Sequence, residues 1–314
     1  MRRIWLKKID TESCWDLLPQ DRTGHYDPEV IGCPLVNVKG LGYKQTITQN
    51  QVETEYFISQ ILSANQPITG IMLFRDDEHI KQFQEFIGDF RNQLYLYYSP
   101  DGEFEPYDQI SAPYYKKVII TQLDKSEKDE FGWYQISTTI STQDDVWSRN
   151  VYYHLDGIAL YEATALVYPY IYPYVFSGRN TVAIEFNNTG REVGCLVKIK
   201  NNTANNLNNI EFFIDRDYTD YYGVYHENAD VQRSKWNLTL PPNSELVIDS
   251  NPLTQEAKVI YSDETSQSVV DLQEPNWDYI NFPRVMHGEG RIIFYIENDN
   301  FDITFSYKEE KEFI

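Results

Sequence analysis

Three aspartates in the second half of the chain offer the clearest set of metal-ligand residues in the sequence. Asp215, Asp217 and Asp220 follow a short apolar stretch, and carboxylates at such spacings suit Ca²⁺. A helix-loop-helix calcium site also needs glycine at its sixth loop position and glutamate at its twelfth. Counted from Asp215, these positions hold Asp220 and His226. The pattern therefore predicts a solvated acidic loop, and we predict no metal and no cofactor.

The histidines and cysteines lie too far apart in the sequence to predict a zinc site or a disulfide framework. The chain has five histidines and three cysteines, and none shows HxH, HxxxH or CxxC spacing. No nucleophile elbow, phosphate-binding loop or dinucleotide fingerprint occurs either. We therefore predict no catalytic residue and folding in a reducing compartment. The residues concerned are His25, His79, His154, His226, His287, Cys14, Cys33 and Cys195.

Sugar chemistry is the other possibility that the residue types leave open. Trp236 and Trp277, with Asn237 and Arg233, could place an aromatic ring beside polar groups. Tryptophan is more often part of a β-sandwich core, and a shared fold does not transfer a binding site. The 48 acidic residues make any glycosidase-type carboxylate pair uninformative. We assign no sugar-binding residue, predict that the chain is not an enzyme, and keep carbohydrate binding as the alternative function.

The composition is that of a folded, acidic protein. Hydrophobic residues make up 41% of the 314 positions, and the net charge is −21, which argues against general binding to nucleic acid. That charge suits a solvated surface or a conduit through which polyanions pass without sticking. The 25 tyrosines are expected to fill half-buried sheet faces. We find neither a signal peptide nor an apolar run long enough to span a bilayer.

One amphipathic helix anchors the N-terminal half. Over residues 77–90, apolar side chains at Ile80, Phe83, Phe86, Ile87 and Phe90 line one helical face. Strand-like segments surround this helix, at 52–62, 68–74, 93–98, 114–123 and 133–140. Helix and strands together predict an α+β domain in which the helix packs on a β-sheet or barrel. The Gly/Pro-rich stretch 20–45 reads as an extended arm.

The C-terminal half is expected to be all β. Short strands with turn signals recur about every ten residues after position 181, with no helical pattern between them, which predicts a sandwich or jelly roll. A boundary is predicted near 141–161, followed by a Tyr-rich crossover with Pro169 and Pro173. Phe301, Ile303, Phe305 and Tyr307 alternate as a final strand. The fold class is therefore mainly β.

The order of these elements resembles the distal tail proteins of long-tailed, siphovirus-type bacteriophages that infect Gram-positive bacteria. In the N-terminal half the resemblance rests on the helix DEHIKQFQEFIGDF, the strand QLYLYY and the pair YYKKVIITQL and WYQISTTI. In the C-terminal half it rests on the crossover, the strand pair TVAIEFNNTGREVGCLVKIKN and the final SYKEEKEFI. The stretches 215–235 and 262–290 match no family motif and read as insertions.

The resemblance implies a two-domain hub protein. Residues 1–150 would form a β-rich domain that closes a homo-hexameric ring, and residues 151–300 a galectin-like β-sandwich, with the final strand 301–314 packing back on the first domain. The ring would join the tail tube protein to a tail-associated lysin or fibre-type protein and to receptor-binding proteins. DNA would pass through its channel. The protein would be made in the host cytoplasm and reside in the tail tip or baseplate of the virion.

Two functions from different classes therefore follow from the sequence. A structural hub predicts rings in electron micrographs, whereas a lectin or adhesin module predicts a specific, competable hit among glycans. Membrane binding and specific nucleic-acid binding are not expected for either.

Overall fold

The computed structural model describes residues 3–9, 13–19, 31–41, 44–52, 55–64, 66–88, 93–99, 113–158, 181–219, 224–276, 278–296 and 300–312. It is 61% strand and 7% helix, which confirms the mainly-β fold class. Within the described residues, no helix is both long and apolar enough to cross a membrane.

The chain divides into two compact units. Unit 1 comprises Met1–Arg149 with Glu310–Ile314, and unit 2 comprises Asn150–Glu309. Residues 301–309 of the final strand therefore group with unit 2, and the last five residues group with unit 1. The boundaries drawn from the sequence, as statements about separately folding domains, stay a prediction.

Unit 1 is one antiparallel sheet covered by a helix, with a separate hairpin. Its sheet runs in the order β2-β1-β7-β8-β9-β6-β3, and β4 pairs only with β5. The bounds are β1 Arg3–Lys8, β2 Cys14–Asp16, β3 Leu35–Lys39, β4 Lys44–Val52, β5 Glu55–Ala64, β6 Ile68–Phe74, α1 Asp77–Ile87, β7 Leu94–Ser99, β8 Tyr114–Lys128, β9 Tyr134–Thr142 and β10 Trp147–Ile158, which continues into unit 2.

Helix α1 packs its apolar face on the sheet of unit 1. The Asp76 carboxylate accepts a hydrogen bond from the backbone N–H of His79 at 2.8 Å, which caps the helix start. The helix ends at Ile87, three residues before the predicted end at 90. Gly88 follows with φ 69°, a conformation that breaks the helical path. Phe83 then lies between Trp15 and Phe74, with ring centroids 5.0 and 5.5 Å away.

Tyrosines line the other face of this sheet, as the composition predicted. Tyr97 stacks on Trp5 at 5.3 Å and lies 5.6 Å from Tyr115 on the next strand. Tyr95 lies 5.3 Å from Tyr115. All four rings are partly buried, so these residues fill a half-covered sheet face.

Unit 2 contains two sheets that share one core. The first runs β17-β16-β15-β12-β20-β10, with β18 also on β12, and the second runs β11-β19-β13-β14. The bounds are β11 Thr181–Asn188, β12 Val193–Asn201, β13 Ile210–Thr219, β14 Tyr225–Trp236, β15 Glu245–Asp249, β16 Glu256–Ile260, β17 Ser266–Ser268, a 3-10 helix Val270–Leu272, β18 Arg284–Val285, β19 Gly288–Tyr295 and β20 Phe301–Lys311.

Side-chain alternation builds the sandwich core of unit 2. Ile199 of β12 and Ile303 of β20 are paired and fully buried, while their neighbours along each strand face outward. Phe186 of β11 lies 5.7 Å from Phe305 of β20, so the inner faces of the two sheets touch. The predicted sandwich is therefore present, and the galectin-like character stays a prediction.

In several places the structure differs from the elements predicted from the sequence or adds to them. Within the described part of the predicted arm 20–45, β3 is a sheet strand, because Leu35 is buried in the core and Val36 pairs with Ile71. The division between the two units, at Arg149 and Asn150, lies within the predicted boundary at 141–161, and it falls inside the long strand β10. The described residues of 215–235 belong to β13 and β14, which pair as far as Thr219 and Tyr225, and the interpretation of this stretch as an insertion stays a prediction. The strand predicted at 114–123 is longer than expected, because β8 continues to Lys128.

Candidate functional site

A polar groove of about 660 Å³ lies on the outward face of the first sheet of unit 2. Its floor comes from β12 and β20, and its walls come from β10 and from the turn that follows β15. The side chains that alternate away from the core supply most of its lining, because the inward ones are already packed. The lining includes Asn150, Tyr152, Lys198, Asp249, Asn251 and Thr304.

The floor of the groove depends on one glycine. A Cβ atom at Gly194 would lie 2.6 Å from both the Ser250 carbonyl oxygen and the Asn251 Cα. The turn after β15 can therefore lie against β12 only because position 194 has no side chain. The buried Ser250 hydroxyl fastens this turn, since it accepts from the backbone N–H of Cys195 at 2.7 Å.

The turn itself is held by short side-chain hydrogen bonds. The Asp249 carboxylate accepts from the backbone N–H of Asn251 at 2.9 Å and from the hydroxyl of Thr254. The Asn251 side-chain oxygen accepts from the backbone N–H of Leu253 at 3.1 Å. These are Asx turns, which fix the backbone locally. Asp249 and Asn251 are therefore held in place at the groove wall.

Tyr152 of β10 lines the opposite wall, and His154 lies beside it on the same strand. The exposed Tyr152 ring lies 6.1 Å from the His154 ring, with 26° between their planes. His154 Nδ1 bonds the Thr304 hydroxyl at 2.9 Å, and Nε2 contacts the Asp156 carboxylate. The imidazole is thus fixed from two sides and supports the tyrosine ring.

The Asp156, His154 and Thr304 series has the residue types of a nucleophile activated by a base. Asp156 and His154 are both exposed, so water screens the charge contact and weakens its effect on the hydroxyl. Cys195 beneath the groove is equally unsuited to attack, because burial raises the pKa of its thiol to about 12. We assign these groups a positioning role.

The prediction of a solvated acidic loop is wrong at Asp215, which lies in strand β13. Asp215 is buried, and its two carboxylate oxygens accept from Nε and Nη2 of Arg291 at 3.3 and 3.0 Å. The Asp217 side chain and Asp220 lie outside what the structure describes. Over the described residues, no group of three or more His, Cys, Asp or Glu side chains could hold a metal ion.

The histidines and cysteines occupy separate structural positions. His79 is buried in unit 1, with its Nε2 atom 3.0 Å from the Gly32 carbonyl oxygen. His287 Nδ1 bonds the Gly190 carbonyl at 2.8 Å, and His226 lies in β14. His25 lies outside the described residues. Cys14, Cys33 and Cys195 form no disulfide with one another.

The sugar candidates drawn from the sequence do not form the groove. Trp236 is completely buried, which confirms its interpretation as core, and its Nε1 donates to the Ser234 hydroxyl at 2.9 Å. Asn237 Nδ2 donates to Glu274 at 3.0 Å, Arg233 lies in β14, and Trp277 is outside the described part of the chain. The groove was missed because its residues meet only through strand registers. The polar alternation at 150–156 is the one local signal that pointed to it.

The comparisons with known proteins support the fold. Neither a scan against protein-family models nor a search of curated proteins gives a match for this sequence. A search of solved structures finds the crystal structure of the phage SPP1 Dit (gp 19.1) protein, described there as a paradigm of the hub adsorption apparatus in phages that infect Gram-positive bacteria. The identity is 10%, the match covers 97% of this chain and 98% of that chain, and the TM-score is 0.51.

Two structures of the phage P2 baseplate in its activated conformation, one with Ca and one with Sr, also match. Each is 12% identical over the whole of both chains, with TM-scores of 0.48 and 0.46. Both scores are below 0.5, so only the likeness to Dit supports a shared fold. The chain therefore has the fold of a phage distal tail protein, and the resemblance predicted from the sequence is confirmed at the level of fold.

Proposed function

We propose that the protein is a structural component of a phage tail, the hub that joins the tail tube to the tail tip or baseplate. The observation that carries this proposal is the likeness to SPP1 Dit along nearly the full length of both chains, 97% and 98%. A match over one unit alone would support only a shared module. A match over both units supports a shared architecture.

The hub would work as a homo-hexameric ring. Identical subunits close a ring by repeating one heterologous contact around a rotation axis. Unit 1 would make these contacts, and unit 2 would present surface to other tail components. The partners would be the tail tube protein, a tail-associated lysin or fibre-type protein, and receptor-binding proteins. The protein would then reside in the virion and perform no catalysis.

The charge of the chain supports a channel through which DNA passes. With a net charge of −21, the chain lacks the basic surplus that holds phosphate backbones. An acidic lumen would repel DNA rather than retain it. Rings that retain duplex DNA at low salt, or that have a basic lumen, would contradict this part of the proposal.

Mass photometry of the purified full chain, from nanomolar to micromolar concentration, tests the assembly. A concentration-dependent species at six times the 37.0 kDa of the chain supports the hub. The same experiment with a tail tube protein added tests whether assembly needs the partner. Monomers under both conditions would contradict the proposal.

Saccharide binding is the second candidate function, and the polar groove of unit 2 favours it. A hub and a saccharide site are compatible in one chain, because the ring would depend on unit 1 and the site on unit 2.

A further inference from the structure

We infer that the groove of unit 2 is a binding site for a neutral oligosaccharide, with Tyr152 as its stacking platform and Asp249, Asn251 and Lys198 as hydrogen-bonding partners. The inference goes beyond the proposed hub function and does not depend on it. It rests on the geometry of one sheet face whose residues all belong to unit 2.

The aromatic wall supplies the apolar part of the recognition. Tyr152 is 43% exposed although it is a large aromatic ring on a β-strand. Its ring lies nearly parallel to the imidazole of His154, which the Thr304 hydroxyl and the Asp156 carboxylate hold in place. The tyrosine ring beside it is a flat amphipathic surface, and a tyrosine side chain has only two torsion angles to immobilise on binding. The C–H face of a pyranose is a ligand surface of matching shape and polarity.

The rest of the lining supplies donors and acceptors suited to hydroxyl groups. Asp249 offers a carboxylate, Asn251 an amide, Lys198 an ammonium group and Thr304 a hydroxyl. The turn that carries Asp249 and Asn251 is fixed by its own hydrogen bonds and by Ser250. A small number of fixed polar groups around an aromatic surface is typical of small-ligand sites.

The charge of the groove argues for a neutral ligand. Lys198 and Lys308 are offset by Glu245 and Asp249 in the same lining, so neither an anionic nor a cationic ligand is strongly favoured. The volume of 660 Å³ lies within the range of about 300–1,000 Å³ for small-ligand sites. Because the groove is open to solvent, a chain of sugars could continue beyond it.

A protein partner fits this surface less well. Protein interfaces have an apolar, aromatic or Arg-rich centre from which charged residues are depleted. Here Val151 and Cys195 are buried in the sheet, and the lining includes four charged side chains, those of Lys198, Glu245, Asp249 and Lys308. The observations therefore favour a saccharide.

Ligand-observed saturation-transfer NMR with the full chain tests the inference. The probes are disaccharides and trisaccharides of glucose, galactose, N-acetylglucosamine and rhamnose, followed by competition between those that bind. We expect saturation transfer to at least one neutral saccharide, and a loss of affinity of about tenfold or more in Tyr152→Ala. His154→Phe keeps an aromatic ring but loses the bonds to Thr304 and Asp156, and should weaken binding less.

Tyr295→Ala is the matched control. Tyr295 is a partly buried tyrosine on the second sheet of the same unit, 5.4 Å from Phe213, and its loss should leave binding within about twofold of wild type. Thermal unfolding of each variant shows whether unit 2 remains folded.

Absence of any saccharide signal at millimolar probe concentration overturns the inference. Saccharide binding that is unchanged in Tyr152→Ala would also overturn it. Capture of a tail protein that requires Tyr152 and is not displaced by saccharides would overturn it as well. Ring formation by the same samples is read separately, so failure of the groove and failure of the hub are distinguishable.

Discussion

The two units cover the same kind of antiparallel sheet in different ways. Unit 1 places an amphipathic helix on its sheet, and Phe83 fills the space between Trp15 and Phe74. Unit 2 places a second sheet on the first, with Phe186 against Phe305. Formation of the helix depends on one cap at each end, whereas formation of the sandwich depends on the correct register between several pairs of strands. Helix α1 is therefore specified mainly by local signals, whereas the sheets of both units depend on long-range pairing, as between β1 and β7 and between β12 and β20.

The two units also differ in the polar side chains that they bury. Unit 1 buries two basic side chains, His79 and Lys116, each bonded to a backbone carbonyl oxygen. Unit 2 buries the carboxylates of Asp215 and Glu309, bonded to Arg291 and to Thr189. A buried neutral base disfavours low pH, whereas a buried carboxylate depends on its specific partner. Changes at these sites should therefore affect one unit and spare the other.

Removal of the largest core side chains should give the largest effects. Trp15→Ala and Trp236→Ala each leave a cavity in a buried site, and each should cost about 3–5 kcal/mol of unfolding free energy. Hydrogen exchange should show lost protection in β1 and α1 for Trp15→Ala, and in β13 and β14 for Trp236→Ala. Leu253→Ala, at a side chain that is 93% exposed, is the control. Equal loss of protection in both units for either variant would contradict the conclusion that a change in one unit spares the other.

The ion pair of unit 2 should rank second. Asp215→Ala removes a carboxylate that is 3% exposed and leaves Arg291, which is 34% exposed, without it. We expect a loss of about 1–3 kcal/mol, reduced by the partial exposure of the guanidinium. Glu85→Ala on α1 breaks an exposed pair with Lys81 at 3.9 Å and should cost no more than about 0.5 kcal/mol. Urea denaturation measures both, and equal losses would contradict the assignment of a buried pair.

The helix cap of unit 1 should matter slightly less. Asp76→Ala removes the acceptor for the His79 backbone N–H and should cost about 1 kcal/mol. Asp76→Asn keeps a side-chain oxygen at the same place and should retain most of the stability. If both variants lose the same amount, the carboxylate acts through its charge rather than as a cap.

A pH effect confined to unit 1 should be the smallest. Burial lowers the pKa of His79 below its usual value, so the folded state favours the neutral ring. This contribution to stability is complete above about pH 6.5, the usual pKa of histidine, and is lost as the pH falls through the lowered pKa. Thermal unfolding should show that His79→Gln flattens the pH dependence of unit 1 over this range. An unchanged pH profile would assign the acid sensitivity to other groups.

Much of unit 1 could be predicted from the sequence because its signals are local. The spacing of Ile80, Phe83 and Ile87 predicted α1, and the apolar run at 68–74 predicted β6 at its observed bounds. The exposed ends of elements were less predictable. Gly88 ends the helix before 90, and β8 continues into a charged segment, because backbone pairing continues where side chains are solvated.

The groove could not be predicted, because its residues are far apart in the sequence. Thr304 reaches His154 across 150 positions, and Gly194 meets Ser250 only through the pairing of β12 with β15. Trp236 was correctly interpreted as core, since a large indole in a short alternating strand favours the inner face. The sequence indicated a solvated acid at Asp215, because its partner Arg291 lies 76 positions away and gives no local signal.

The central claim, that the chain is a ring-forming tail hub, is tested most directly by negative-stain electron microscopy of the purified protein at high concentration, alone and with its tail tube protein. Two-dimensional class averages should show six-fold rings with an open centre. Separate monomers in both samples, or closed particles without a central channel, would contradict the claim and leave saccharide binding as the leading function.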